Sequence, residues 1–311
     1  MERASRERME QIFEDVKRWG RWGKDDERGA LNLVTDGRRA RAAAGVRSGE
    51  AVSLARELPV AASLENPSPA QHLMIAAGDA LDAAGVPGLE STSDWIGIAC
   101  HGMAVSHIDA LCHVSVGERM YNGFPASEVR SSGARRGSIM AAADGITGRG
   151  VLLDVPRLRG VAWLEPGEAI GPDELEAVER AQRVRVEEGD VLLVATGRDA
   201  RRAARGPWHP VVEGLAGLHP ECIPWLHARD VAVLGADGVS DPLPGNAAPG
   251  WTIPVHQCCL VAMGVHLLDN LRLDRLAEVC ARHERFEFLL SVAPLRVEGG
   301  TGSPVNPIAV F

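Results

Sequence analysis

An α/β fold, with a mixed sheet and flanking helices, is what this sequence predicts, and three observations carry the prediction. Short apolar runs at Val151 to Val155, Val191 to Ala195 and Val231 to Ala236 are each bounded by glycine, proline or aspartate, as buried strands are. Between the first two, Gly171-Pro172-Asp173-Glu174-Leu175 opens a helix. Its proline falls in the first turn, where a missing N–H costs nothing, and its acids complement the positive end of the helix dipole. Strands alternating with helices stack as layers of an α/β domain.

The remaining elements follow in chain order. Residues 4–18 place Met9, Ile12, Phe13 and Val16 at spacings of three and four, so this charged segment forms a helix with one apolar face. Residues 1–20 are read as a helical extension, lying on the body or on a neighbouring subunit, of a single domain covering 1–311. The loop Ser240 to Trp251, rich in proline and glycine, immediately precedes His256 and is placed to wall a pocket. Phe286 to Val297 reads as a last strand, interrupted by Pro294, which has no N–H for a sheet ladder. Internal repeats and long linkers are absent from the sequence.

Composition narrows the class of function. With 45% hydrophobic and 24% charged residues the chain is ordinary globular material. A net charge of -9 argues against a nucleic-acid partner, which calls for a basic surface. No apolar run reaches the length of a membrane span and the start MERASRERMEQ is charged throughout, so a cytoplasmic protein without a membrane partner is expected. The six cysteines show no C-x-x-C spacing, and reduced thiols are expected. A Gly-x-Ser-x-Gly elbow, a Walker loop and a dinucleotide fingerprint are all missing.

The most informative stretch is His107-Ile108-Asp109-Ala110-Leu111-Cys112-His113. On a strand, His107 and Asp109 project from one face. A continuing strand would carry His113 roughly 20 Å away, so the chain must turn for that imidazole to share a site, and a helical turn would bring it back. Two imidazoles and a carboxylate suit a borderline divalent ion, zinc or manganese, and leave a position open for chemistry. The plain alternative is a strand histidine hydrogen-bonded to its neighbours.

The segment 101–125, HGMAVSHIDALCHVSVGERMYNGFP, resembles the metal-binding segment of the putative cyclase family, which includes kynurenine formamidases, isatin hydrolases and trans-dienelactone hydrolases. That family's motif reads His-x-Gly-Thr-His-x-Asp-x-Pro-x-His. Its second half falls on His107, Asp109 and His113, with Leu111 where proline is usual; its first half departs, with Val105-Ser106 for Gly-Thr and Met103 for the first histidine. HQCCLVAMGVHLLDNLRLDRLAE resembles the second ligand segment, with His256 at the histidine position and Asp269 at a glutamate position. Trp22 to Val34 and the ending GGTGSPVNPIAVF add to the likeness, which spans most of residues 20–311.

The resemblance implies a swivelling β/β/α-type fold and a metal-dependent hydrolase that opens a cyclic or N-acyl carbonyl compound: a lactone, a cyclic amide or a formamide. The metal ligands are then His107, Asp109, His113, His256 and Asp269, with His113 and His256 the catalytic candidates and His256 either a ligand or a general base. The ion would polarise the carbonyl and lower the pKa of water. Met103 is a poor ligand for a borderline ion, so one divalent ion is expected, with Met103 an apolar wall. His101 lies two residues from the vacant motif position and is counted, with His72, Met103 and Tyr121, among the substrate contacts. The only tyrosine could donate to an oxyanion or simply pack in its Asn-Gly turn. Asp237 and Asp241 read first as turn residues and second as groups orienting a ligand. The expected partners are a small-molecule substrate and further copies of the chain, as a dimer or tetramer. Two other functions fit the same segment: a polyketide-type cyclase using the ion to stabilise an enolate, and a metal-binding relative without activity.

Overall fold

In a computed structural model that describes residues 2–79 and 88–311, a nine-stranded sheet runs through the chain from Ala51 to Val310. Its strands in chain order are β1 (Ala51–Ser53), β2 (His107–Asp109), β3 (Ile146–Asp154), β4 (Val191–Ala195), β5 (Val233–Ala236), β6 (His266–Asp269), β7 (Glu287–Val292), β8 (Gly302–Pro304) and β9 (Ile308–Val310). Across the sheet they lie in the order β1-β9-β7-β3-β4-β5-β6-β2-β8. The central four, β3 to β6, are parallel, and every pairing outside them is antiparallel. The mixed sheet with flanking helices is therefore as the sequence predicts.

The parallel strands are where the sequence was easiest to read. Every residue of β4 is buried, because helices cover both faces of a parallel sheet and its strands become continuous apolar runs. Each such Val or Leu contributes roughly 1.5–3 kcal/mol of burial. The strand expected at Val151 to Val155 begins earlier, at Ile146, and ends before Val155, which starts the helix Val155–Arg159. Its first half alternates because it pairs antiparallel with β7 through Gly148 and Gly150. β7 itself stops at Val292, two residues short of Pro294.

The helix Pro172–Gln182 forms as expected, with Pro172 in its first turn. Near the N-terminus the helix is Arg6–Asp15, capped by the Ser5 hydroxyl, which accepts from the Arg8 N–H at 3.1 Å. Met9, Ile12 and Phe13 are buried, and Phe13 meets Trp251 at 5.6 Å between ring centroids, so this helix lies on the body of its own chain. Outside the main sheet, Gln71–Ala76 and Ser93–Gly97 pair as an antiparallel hairpin with almost every residue exposed. Among the described residues no helix is long and apolar enough to cross a membrane.

Candidate metal centre

The centre forms where β2 is wedged between β6 and β8. In register, His107 faces Asp269 and Asp109 faces Leu267, so strand alternation puts His107, Asp109 and Asp269 on one face while the fully buried Ile108 anchors the other. The expected turn follows: the His113 N–H donates to Ala110 O at 3.0 Å. Instead of joining His107, the His113 ring stacks on His101, with centroids 3.7 Å apart and planes 2° from parallel.

His101, expected among the substrate contacts, stands with its Nδ1 2.9 Å from Asp109 Oδ1, beside residues that could hold a metal ion. The physical reason is local: residues 101–105 bend instead of extending, and Gly102 adopts φ +136°, so a two-residue offset in sequence is absorbed by the chain path. Thr301 Oγ1 meets the far side of the ring at Nε2, 3.0 Å away. Gly302 makes room for it, since a Cβ there would come within 2.7 Å of the His101 ring and 2.6 Å of Ile108 O.

Two groups of donors result, and they share one carboxylate. His101, Asp109 and His113 can converge on one ion, and so can His107, Asp109 and Asp269. His107 Nδ1 donates to Val105 O at 2.8 Å, which turns Nε2 toward Asp109 Oδ1, 3.4 Å away. His256 Nε2 lies 3.2 Å from Asp269 Oδ2 and 3.6 Å from Asp109 Oδ2, so the shorter aspartate side chain reaches the centre. Both oxygens of Asp109, one of Asp269 and Nδ1 of His101 are buried and make no well-aligned hydrogen bond among the described residues, the 2.9 Å approach of His101 to Asp109 included. Buried polar atoms are normally paired, and a set of such oxygens and imidazole nitrogens aimed at common points is the donor set a divalent ion needs.

Electrostatics agree. Burial alone would lift the Asp109 carboxyl, but His101 and His107 outweigh it and hold it well below the usual carboxylate range. Burial likewise works against a charged His101, yet Asp109 and Cys100 push it up to about 10. For His256 the opposing burial is outweighed by the carboxylates Asp269 and Asp241, which hold its imidazole well above the ordinary value. A cation in place of those protons satisfies the same carboxylates.

A supporting layer fixes the strands, and most of it escaped the sequence reading. Asp241 holds His256: Oδ2 meets Nδ1 at 2.6 Å. Asn270, at φ +56°, ends β6 and donates to Gly102 O and Val105 O, while the buried Arg198 donates to its Oδ1 at 2.6 Å. Asn270 thus ties the end of β6 to the loop that carries His101 into β2. Asp237 instead accepts three backbone N–H groups at Thr196, Gly197 and Arg198. The pair GADGVSDP therefore divides into one cap and one imidazole partner, a distinction that needs the tertiary contact.

Other expected substrate contacts lie elsewhere. Tyr121 is buried, its hydroxyl donates to Asp26 at 2.9 Å, and its ring packs on Gly264. His72 is exposed on the hairpin and pairs with Asp94 at 2.8 Å. Met103 packs against the cluster of Trp208, Leu215, Val239 and Leu243. It also lines a cavity of about 470 Å³ with Leu58, Glu65 and Arg202, in which none of the metal donors takes part.

The sequence profile of the family described as Putative cyclase matches residues 53–241. The chain belongs to the cyclase family. A solved structure titled as a novel cyclase is 31% identical to this cyclase-family chain, covers 95% of it and 99% of its own length, and superposes with a TM-score of 0.84. Isatin hydrolase A from Labrenzia aggregata, bound to benzyl benzoate, is 22% identical over 88% of this chain and 98% of its own, with a TM-score of 0.62. A predicted metal-dependent hydrolase from Bacillus stearothermophilus is 16% identical, covering 84% and 97%, with a TM-score of 0.51. These last two share the fold. No curated protein matches the chain.

Proposed function

We propose that this cyclase-family chain is a metal-dependent hydrolase that opens a cyclic or N-acyl carbonyl compound: a lactone, a cyclic amide or a formamide. The observation that carries the proposal is Asp109, a buried carboxylate that three imidazoles approach without a well-aligned hydrogen bond and that two groups of imidazole and carboxylate donors share. Zinc or manganese suits such donors. When bound, the ion polarises a carbonyl and lowers the pKa of water.

His107, Asp109 and Asp269 would hold the ion, with His256 beside them. His101, Asp109 and His113 supply donors for a second, so the single ion expected from Met103 gives way to a proposal of two sharing Asp109. His256 presents Nε2 to the centre and is suited to ligate or to carry a proton at that atom. His113 is the exposed member, so the centre opens on its side. The relatives named as isatin hydrolases support a cyclic amide among the substrate classes.

A homo-oligomer is also proposed. The hairpin exposes Leu73, Met74, Ile75, Trp95 and Ile96, each at 46% or more, on a two-stranded ribbon too small to be stable alone. Sedimentation would report the assembly.

The deciding experiment is a hydrolysis screen of lactones, imides and N-formyl aromatics, with zinc- or manganese-loaded protein and a metal-stripped control. Turnover in only the loaded protein is expected. Bound metal without turnover anywhere in the panel would replace the hydrolase by a binding protein, and full activity in the stripped protein would sink the metal mechanism.

A further inference from the structure

We infer that Asp241 is the positioning residue for His256: it fixes the proton on Nδ1 and aims Nε2 at the carboxylates Asp109 and Asp269. Asp241 is fully buried. Its Oδ1 accepts from the Val255 N–H at 2.7 Å, and its Oδ2 accepts from the His256 N–H at 3.1 Å and faces His256 Nδ1 at 2.6 Å. Both oxygens of Asp241 already accept backbone N–H groups, the arrangement that suits a carboxylate, so the proton in the short contact is assigned to Nδ1. In the neutral imidazole Nε2 is then bare.

That bare nitrogen faces Asp269 Oδ2 at 3.2 Å and Asp109 Oδ2 at 3.6 Å. Three acceptors facing one another are stable only around a proton or a cation. Asp241 therefore commits His256 to the atom and direction that a metal centre uses, and it also prevents the ring from turning its other nitrogen inward. The backbone around it is built for this placement. Gly217 lies against it so closely that a Cβ there would sit 2.3 Å from the Asp241 carbonyl carbon.

Asp237 supplies an internal comparison. It lies four residues upstream and is also buried, but its carboxylate is engaged by the Thr196 hydroxyl and the N–H groups of residues 196–198, with no imidazole in contact. If Asp241 were only a cap for the turn at residues 255 and 256, the two aspartates would behave alike on substitution.

The inference rests on reading the centre as metal-binding, and its test needs no turnover. In the zinc-loaded protein, ¹⁵N spectra of the histidine side chains should show His256 protonated at Nδ1. Asp241→Asn keeps an oxygen for Val255 but offers Nδ1 no anionic acceptor. It should shift or broaden the His256 ring signals and weaken zinc binding, measured by chelator competition, about 10–100-fold. On any substrate found, kcat should fall by a similar factor with KM within about threefold, as expected when a group that acts late is misaligned. Asp237→Asn should lower the melting temperature and leave the His256 signals and zinc affinity unchanged.

A bare Nδ1 in the zinc-loaded wild-type protein would overturn the inference without any variant. So would Asp241→Asn with zinc affinity within twofold of wild type and only a lowered melting temperature. Wild-type protein that binds neither zinc nor manganese would remove both this inference and the metal reading. Normal zinc binding with no turnover would sink the hydrolase reading alone.

Discussion

Replacing Asp109 by asparagine tests the centre at the one residue both donor groups share. The side chain keeps its shape but loses its charge, and one of its two oxygens becomes an N–H donor facing imidazoles. Ligand-linked stability gives the magnitude. A metal present at a thousandfold over its dissociation constant adds about 4 kcal/mol to the folded state. At roughly 2.1 cal/mol/K per residue, the unfolding entropy of a 311-residue chain is about 0.65 kcal/mol/K. Zinc or manganese should therefore raise the wild-type melting temperature by about 6 °C over chelator-treated protein. Asp109→Asn should lose nearly all of that rise. The metal-free proteins need not melt together, because the substitution also removes the anion facing His101 and His107, so the quantity compared is the shift on adding metal, read by scanning fluorimetry alongside elemental analysis. A wild-type melting temperature indifferent to both chelator and metal, or an undiminished shift in Asp109→Asn, would refute the reasoning.

Two further outcomes are expected. His266 is fully buried with neither ring nitrogen partnered among the described residues, and burial lowers its imidazole to about 4. As pH falls below about 6.5 the unfolded chain takes a proton there and the folded chain does not, so metal-free protein should lose up to about 3 kcal/mol between pH 6.5 and 4 from this group. His266→Leu should flatten that part of the pH profile in urea denaturation; an unchanged profile would show His266 to be solvated. His101→Ala should weaken metal binding about 10–100-fold, whereas Met103→Leu should leave it within twofold and Met103→His should add no ion, because that side chain points into the apolar cluster around Trp208. Metal titration of the three variants checks all of this, and an extra ion in Met103→His would restore the motif reading.

The sequence by itself determined the α/β class, the buried parallel strands and the common strand face of His107 and Asp109. Val191 to Ala195 is legible because a strand buried on both faces must be apolar throughout, and His107 with Asp109 because a period of two puts them on one face whatever surrounds them. The family likeness added His256 and Asp269, which the β2–β6 register and the preceding helical turn do bring to Asp109. Only the tertiary structure decided the rest. His101 enters the centre through a bend that no local pattern encodes, and Tyr121 leaves it because Asp26, distant in sequence, accepts its hydroxyl. Asp237 and Asp241 look alike as turn aspartates, and what separates them is whether a helix start or an imidazole lies opposite. Periodicity reports the face a side chain takes. Which partner waits on that face depends on contacts between segments more than a hundred residues apart, such as His101 with Thr301, and these exist only once the sheet has closed.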